Sequence, residues 1–271
     1  MLTFVNQGAR VRMEANSPGA LELVARLLPF GSRIDGAQSP DAVFSLALAA
    51  GIATSDAPHR LYEDSALLQS SPDLEVLLRR LESVLHFAVA SHARSSLFVH
   101  AGVVGWRGHA ILLPGPSMSG KSSLVAALLR AGAVYYSDEY AVVDGQGRVG
   151  PYAKPLLLRK SDDGRPPDGP APPGGPVGAQ ALPASLIVST HYSAGAHFAP
   201  VVRGQSRGLM TLIANTVVVR ERPRFALDHL MPIARGATTL EGVRGAADEA
   251  AAWLLRFADM KREHGHLSHP R

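Results

Sequence analysis

The stretch Gly115-Pro116-Ser117-Met118-Ser119-Gly120-Lys121-Ser122 fits G-x-x-x-x-G-K-[ST] throughout, with Ser123 next in line. The chemistry this pattern suits is capture of a nucleotide's phosphates. Gly115 and Gly120 allow backbone angles that a Cβ opposes, so successive N–H groups can turn toward a β-phosphate. Lys121 brings a point charge to the outer phosphates, and the Ser122 hydroxyl is a magnesium ligand. A helix beginning at the loop adds the positive end of its dipole. Residues 115–123 are therefore the expected nucleotide site, with ATP and Mg2+ as the expected cofactors.

The flanks decide between such a loop and a chance Gly/Ser-rich turn. Ile111-Leu112-Leu113 predicts a strand just upstream, and SLVAALLRAG a helix from about Lys121 to Arg130. The next strand, AVYYSDEY (133–140), ends in Asp138 and Glu139. Ligands of open α/β sheets collect at the carboxyl ends of strands, so both acids face the same magnesium and phosphates. One can hold the metal, directly or through water, while the other accepts the proton of an attacking hydroxyl. The residues alone leave open which does which, and a turn carrying two solvated acids is the bland alternative. His100, in FVHAGVV, reads on its own as a hydrogen-bonded structural histidine.

These residues need a scaffold. A chain of 271 residues is long enough for one sizeable core plus a smaller lobe. Hydrophobic residues at 46% and charged residues at 18% exclude a disordered chain, and with aromatics at 6% aliphatic packing carries the core. No cysteine is present, which excludes disulfides, thiolate zinc sites and cysteine nucleophiles together. The net charge is +4, with Lys121, Lys154, Lys160 and Lys261 the only lysines. No basic stripe interleaves with aromatics, so no nucleic-acid partner is expected. The first residues contain no apolar core of signal-peptide length, and no run reaches about 18 apolar residues. A soluble, cytoplasmic protein without a membrane partner is the expectation.

Residues 1–95 read as a small α+β lobe that could help recognise a substrate. Ser17-Pro18 starts one helix, AVFSLALA (42–49) is a strand, and Ser71-Pro72-Asp73 opens a stronger helix with Leu74, Leu77, Leu78, Leu81 and Leu85 on one face. Residues 96–260 read as an α/β domain. FVHAGVVGWRGHAILLPG predicts two short strands joined by a turn at 105–108, and AVVDGQGRVG (141–150) a hairpin around Asp144-Gly145. Residues 162–183 are dominated by proline and glycine and predict a mobile loop within the domain. LIVST (186–190) resumes a buried strand, and 206–217, 225–234 and 246–258 predict helices. The tail, 261–271, is expected to be disordered, its His264, His266 and His269 belonging to a fraying end rather than a metal site.

The segment HAGVVGWRGHAILLPGPSMSGKSSLVAALLRAGAVYYSDEY resembles the catalytic core of HPr kinase/phosphorylase and its kinase relatives. Shared features are a His-Ala strand, a short hairpin, the phosphate loop, a helix ending in glycine, and a strand ending in paired acids. The spacing of His100, Lys121 and Asp138 agrees as well. The resemblance covers residues 98–144 closely. It implies a P-loop kinase core related to phosphoenolpyruvate carboxykinase, a mixed sheet flanked by helices, and phosphoryl transfer to a serine hydroxyl of a peptide or protein. It implies Asp138 as base, Glu139 with Ser122 around magnesium, and His100 beside the transferred phosphate. The family includes hexamers, so a homo-oligomer is compatible with the resemblance. The Gly-Arg-Asn stretch tied to the phosphorylase reaction has no counterpart here, where RERPRFALDHLMPIARG occupies the comparable region. The chain is closer in that respect to the kinase-only relatives of peptide-tailoring pathways.

Two other classes compete. A small-molecule P-loop kinase commonly closes an Arg-rich lid, whereas residues 162–183 hold Arg165 alone. A non-catalytic nucleotide-binding regulator needs no base, whereas Lys121, Ser122, Asp138 and Glu139 occur together. Arg159 and Arg207 are further candidates to clamp phosphates or an acidic peptide, with solvated surface as the default for each.

Overall fold

The computed structural model describes residues 1–36, 39–49, 58–116, 119–153 and 176–265. Ser117, Met118, Arg159, residues 162–175 of the Pro/Gly segment, and His266 and His269 lie outside the described residues. The described residues form a mixed α/β protein with two mixed sheets and six helices. The chain divides into two compact units, Met1–Ser95 and Ser96–Arg271.

In the first unit, β1 (Leu2–Asn6) and β2 (Ala9–Ala15) form a hairpin turning at Gln7-Gly8, both at positive φ. Helix α1 (Pro18–Arg26) follows, its N-cap Ser17 accepting from the Ala20 amide. Then come β3 (Arg33–Ile34), β4 (Ala42–Ala47), β5 (His59–Glu63), β6 (Ala66–Ser71) and α2 (Leu74–His92). The sheet order is β3-β1-β2-β4-β5-β6, with β4 parallel to β2. Asp73 caps α2, which buries Leu77, Leu81, Leu85 and Val89. The two hairpins, β1–β2 and β5–β6, are not anticipated from the sequence.

The second unit begins with β7 (Ser96–Trp106), an 11-residue strand rather than a short one, and β8 (His109–Pro114). Their turn sits at Arg107-Gly108, within the expected 105–108, where both residues adopt positive φ and suit a tight hairpin. Helix α3 (Lys121–Arg130), β9 (Val134–Ser137), β10 (Tyr140–Asp144) and β11 (Arg148–Gly150) follow. The strand expected over 133–140 is thus broken, and Asp138 and Glu139 occupy the break. The remaining elements are β12 (Leu182–Tyr192), β13 (Val201–Arg203), α4 (Gln205–Ala214), α5 (Pro223–Gly236), β14 (Thr238–Arg244) and α6 (Ala247–Gly265).

The sheet runs β11-β10-β7-β8-β12-β14-β13, with β9 beside β7. The strands β8, β12 and β14 are parallel, so their carboxyl ends share one edge. Side chains alternate between two cores. Ile111 and Leu113 of β8 meet Leu124 and Leu128 of α3 and Leu254 of α6 on one face. Ala110 and Leu112 meet Leu212 of α4 and Leu230 and Ile233 of α5 on the other. Strands covered on both faces read as near-continuous apolar runs, as β8 does.

Two boundaries differ from expectation. From Pro176 onward the Pro/Gly segment is hydrogen-bonded to β9. The Tyr135 amide donates to the Pro176 carbonyl at 3.1 Å, the Gly178 amide donates to the Tyr135 carbonyl at 2.8 Å, and the Tyr136 hydroxyl donates to the Gln180 carbonyl at 2.8 Å. Backbone groups of β9 provide this pairing, which composition alone does not reveal. The residues Lys261–Gly265, expected in a disordered tail, belong to α6, His264 included. No helix among the described residues is long and apolar enough to cross a membrane.

Candidate functional site

Strand β8 delivers Gly115 to the sheet edge, and α3 leaves from Lys121. Gly120, the N-cap of α3, has φ +82, a left-handed conformation. Its carbonyl accepts from the Leu124 amide at 3.2 Å and from the Arg244 guanidinium at 2.7 Å. A Cβ on Gly120 would overlap that guanidinium. The Lys121 ammonium donates to the carbonyls of Gly115 at 2.8 Å and Pro116 at 2.7 Å. Burial lowers the Lys121 pKa, opposed by the charges of Asp138 and Glu139. The lysine therefore sits half-buried in the mouth of the loop, within electrostatic reach of both acids.

The acidic corner is built by β7, which pairs with β9 through Val103 and Ser137 and with β10 through His100 and Tyr140. Asp138 and Glu139 span the gap. Ser137 is fully buried, and its Oγ accepts from the amides of Glu139 at 3.2 Å and Tyr140 at 3.1 Å. The Ala101 amide donates to the Glu139 carbonyl at 3.1 Å. These bonds fix the corner from both sides, leaving the two carboxylates half-buried.

His100 faces the same point. Its ring lies edge-on to Tyr140 with centroids 5.9 Å apart. Its carbonyl accepts from the Gly115 amide at 3.4 Å, and its amide donates to Asn215. Burial lowers its pKa, the Lys121 charge lowers it further, and Glu139 and a hydrogen bond with the Gly115 backbone oppose the shift. The imidazole is thus neutral near pH 7. Burial and the Glu139 charge push the Tyr140 and Tyr152 phenols upward, which keeps both neutral.

His100, Lys121, Asp138 and Glu139 therefore share one electrostatic neighbourhood at the end of β8, with Ser122 and Ser123 in the first turn of α3. Arg207 belongs elsewhere: it is exposed and pairs with Glu241 at 2.5 Å, beside the Arg203–Glu241 pair. Among the described residues no cluster of three His, Asp or Glu is poised for a metal. Magnesium at a phosphate site takes one or two protein oxygens plus phosphate oxygens and water. The hydroxyl of Ser122 and the carboxylate of Glu139 are hard oxygen donors of that kind, so the residues present fit the ion. Ser137, Tyr140 and Arg244 complete the site and escape sequence reasoning. Ser137 leaves a local signal, a hydroxyl two residues before a Glu amide, whereas Arg244 leaves none. Comparison with protein-family models, with curated proteins and with solved structures gives no match.

Proposed function

We propose that the chain is an ATP- and magnesium-dependent kinase that transfers the terminal phosphoryl group to a serine hydroxyl of a peptide or protein, with a P-loop core of the HPr-kinase type. The observation that carries this reading is the gathering of Lys121, His100, Asp138 and Glu139 around the loop after β8, where Lys121 feels the charges of both acids and His100 those of Lys121 and Glu139. A nucleotide-holding scaffold has no use for a proton acceptor beside the phosphate lysine.

In this reading residues 115–123 cradle the phosphates, and Lys121 exchanges its loop carbonyls for phosphate oxygens. Ser122 and Glu139 would hold the magnesium, which would neutralise phosphate charge when bound. Asp138 takes the proton from the serine hydroxyl. The serine oxygen forms a bond to the terminal phosphorus, the bond to the bridging oxygen breaks, and ADP leaves. His100, neutral and fixed against Tyr140, occupies the flank of the transferred group without adding charge repulsion to Lys121. Terminally labelled ATP offered to serine peptides and to small alcohols tests the assignment. Label on peptide serine supports it, label on a small alcohol alone makes the chain a small-molecule kinase, and no transfer refutes it.

A further inference from the structure

Strand order divides the loop's surroundings. β7, with His100, lies on one side of β8, and β12 and β14 lie on the other. On that second side a cavity of about 540 Å³ opens beside the loop, lined by Gly120, Ser123, Tyr192, Gly195, Arg244 and Gly245. Its size falls within the range of small-ligand sites. Tyr192 and Arg244 are register partners at the carboxyl ends of β12 and β14, where ligands of α/β sheets collect.

The two side chains are unusual for their positions. Arg244 is 2% exposed, and Tyr192 is 63% exposed. The buried guanidinium uses Nη2 for Gly120 and Nη1 for Gly245, while its Nε has no hydrogen-bond partner among the described residues. Its carbon lies 5.7 Å from the centre of the Tyr192 ring, and both side chains line the cavity. An aromatic face, open to solvent and beside a buried cation, suits a planar π-system. Among the described residues, no side-chain carboxylate or amide lines the cavity to read the edge of a base.

Resting on the assignment of residues 115–123 as a nucleotide loop, we propose that this cavity is the nucleoside subsite. The base stacks on Tyr192, and Arg244 forms the wall between base and phosphates. A nucleotide then lies across the loop with its nucleoside on the β12–β14 side and its terminal phosphate toward His100 and Asp138. Stacking is indifferent to base identity, so adenine and guanine nucleotides bind alike.

Calorimetric titration with Mg-ATP, Mg-GTP and magnesium tripolyphosphate tests this. Tripolyphosphate fills the loop but has no base. Tyr192→Ala is expected to weaken ATP and GTP binding by about tenfold or more and to leave tripolyphosphate within about twofold. Tyr192→Phe is expected to restore ATP binding. Tyr192 is exposed, so an unchanged melting temperature confirms folding of both variants. Wild-type ATP affinity in Tyr192→Ala, or equal losses for ATP and tripolyphosphate, overturns the subsite while leaving the loop assignment intact. A wild-type protein that binds neither ATP nor tripolyphosphate overturns both.

Discussion

The Arg244 guanidinium donates a 2.7 Å hydrogen bond to the Gly120 carbonyl across 124 residues of chain. Gly120 is the last loop residue before Lys121, and Arg244 is the last residue of β14. The end of one parallel strand thus pins the loop that follows another. A buried guanidinium is costly unless its donors are used, so this bond ties the placement of the lysine to the register of β12 and β14.

Gly120→Ala tests that tie. Alanine in the left-handed region costs about 1–2 kcal/mol, and its Cβ displaces Arg244. Chemical denaturation should register a loss of that size, and Mg-ATP affinity should fall with it. A variant with wild-type affinity would show that the loop tolerates release from Arg244.

The two acids have separable roles. Asp138→Asn keeps the shape but cannot accept a proton, so transfer should fall by about 10²–10⁴-fold with ATP affinity retained. Glu139→Gln should instead raise the magnesium concentration needed for half-maximal rate. Rates measured across a magnesium series distinguish the two, and reversed phenotypes would exchange the assignments.

Stability should depend on pH through His100. Its folded pKa lies below the ordinary value of 6.5, so the unfolded chain binds a proton that the folded chain refuses. The contribution is complete above pH 6.5 and is lost as pH falls through the lowered folded value. Denaturation midpoints measured from pH 7.5 to 5 should decline, and His100→Gln should flatten that decline. An equal slope in the variant would assign the acid sensitivity to other groups.

The segment after the Pro/Gly run should be structural from Pro176 onward. A Cβ at Gly178 would overlap the Tyr136 ring, whereas Gly145 faces open space. Gly178→Val should destabilise by about 1–3 kcal/mol through overpacking, and Gly145→Ala should stay within about 0.5 kcal/mol. Equal denaturation midpoints for the two variants would contradict the packing of Gly178 on Tyr136.

What is legible in the sequence is what is local. The loop and its flanking strand and helix occupy one contiguous stretch, and the caps Ser17 and Asp73 announce their helices within a turn. The break after Ser137 is less visible, because Tyr135, Tyr136 and Tyr140 read as one continuous strand on either side of it. Arg244 and Tyr192 are not legible. Nothing near either residue refers to the loop, and only the pairing of β8, β12 and β14 brings them there.

Single-turnover transfer from terminally labelled ATP to a serine-peptide library, with wild type beside Lys121→Ala, tests the central claim most directly. Lys121 contributes charge to the loop mouth rather than packing to either core, so the variant should fold normally. The expected result is phosphoserine formed by the wild type and none by the variant. Transfer by Lys121→Ala at the wild-type rate, or a wild type that binds Mg-ATP and labels no serine, would contradict it.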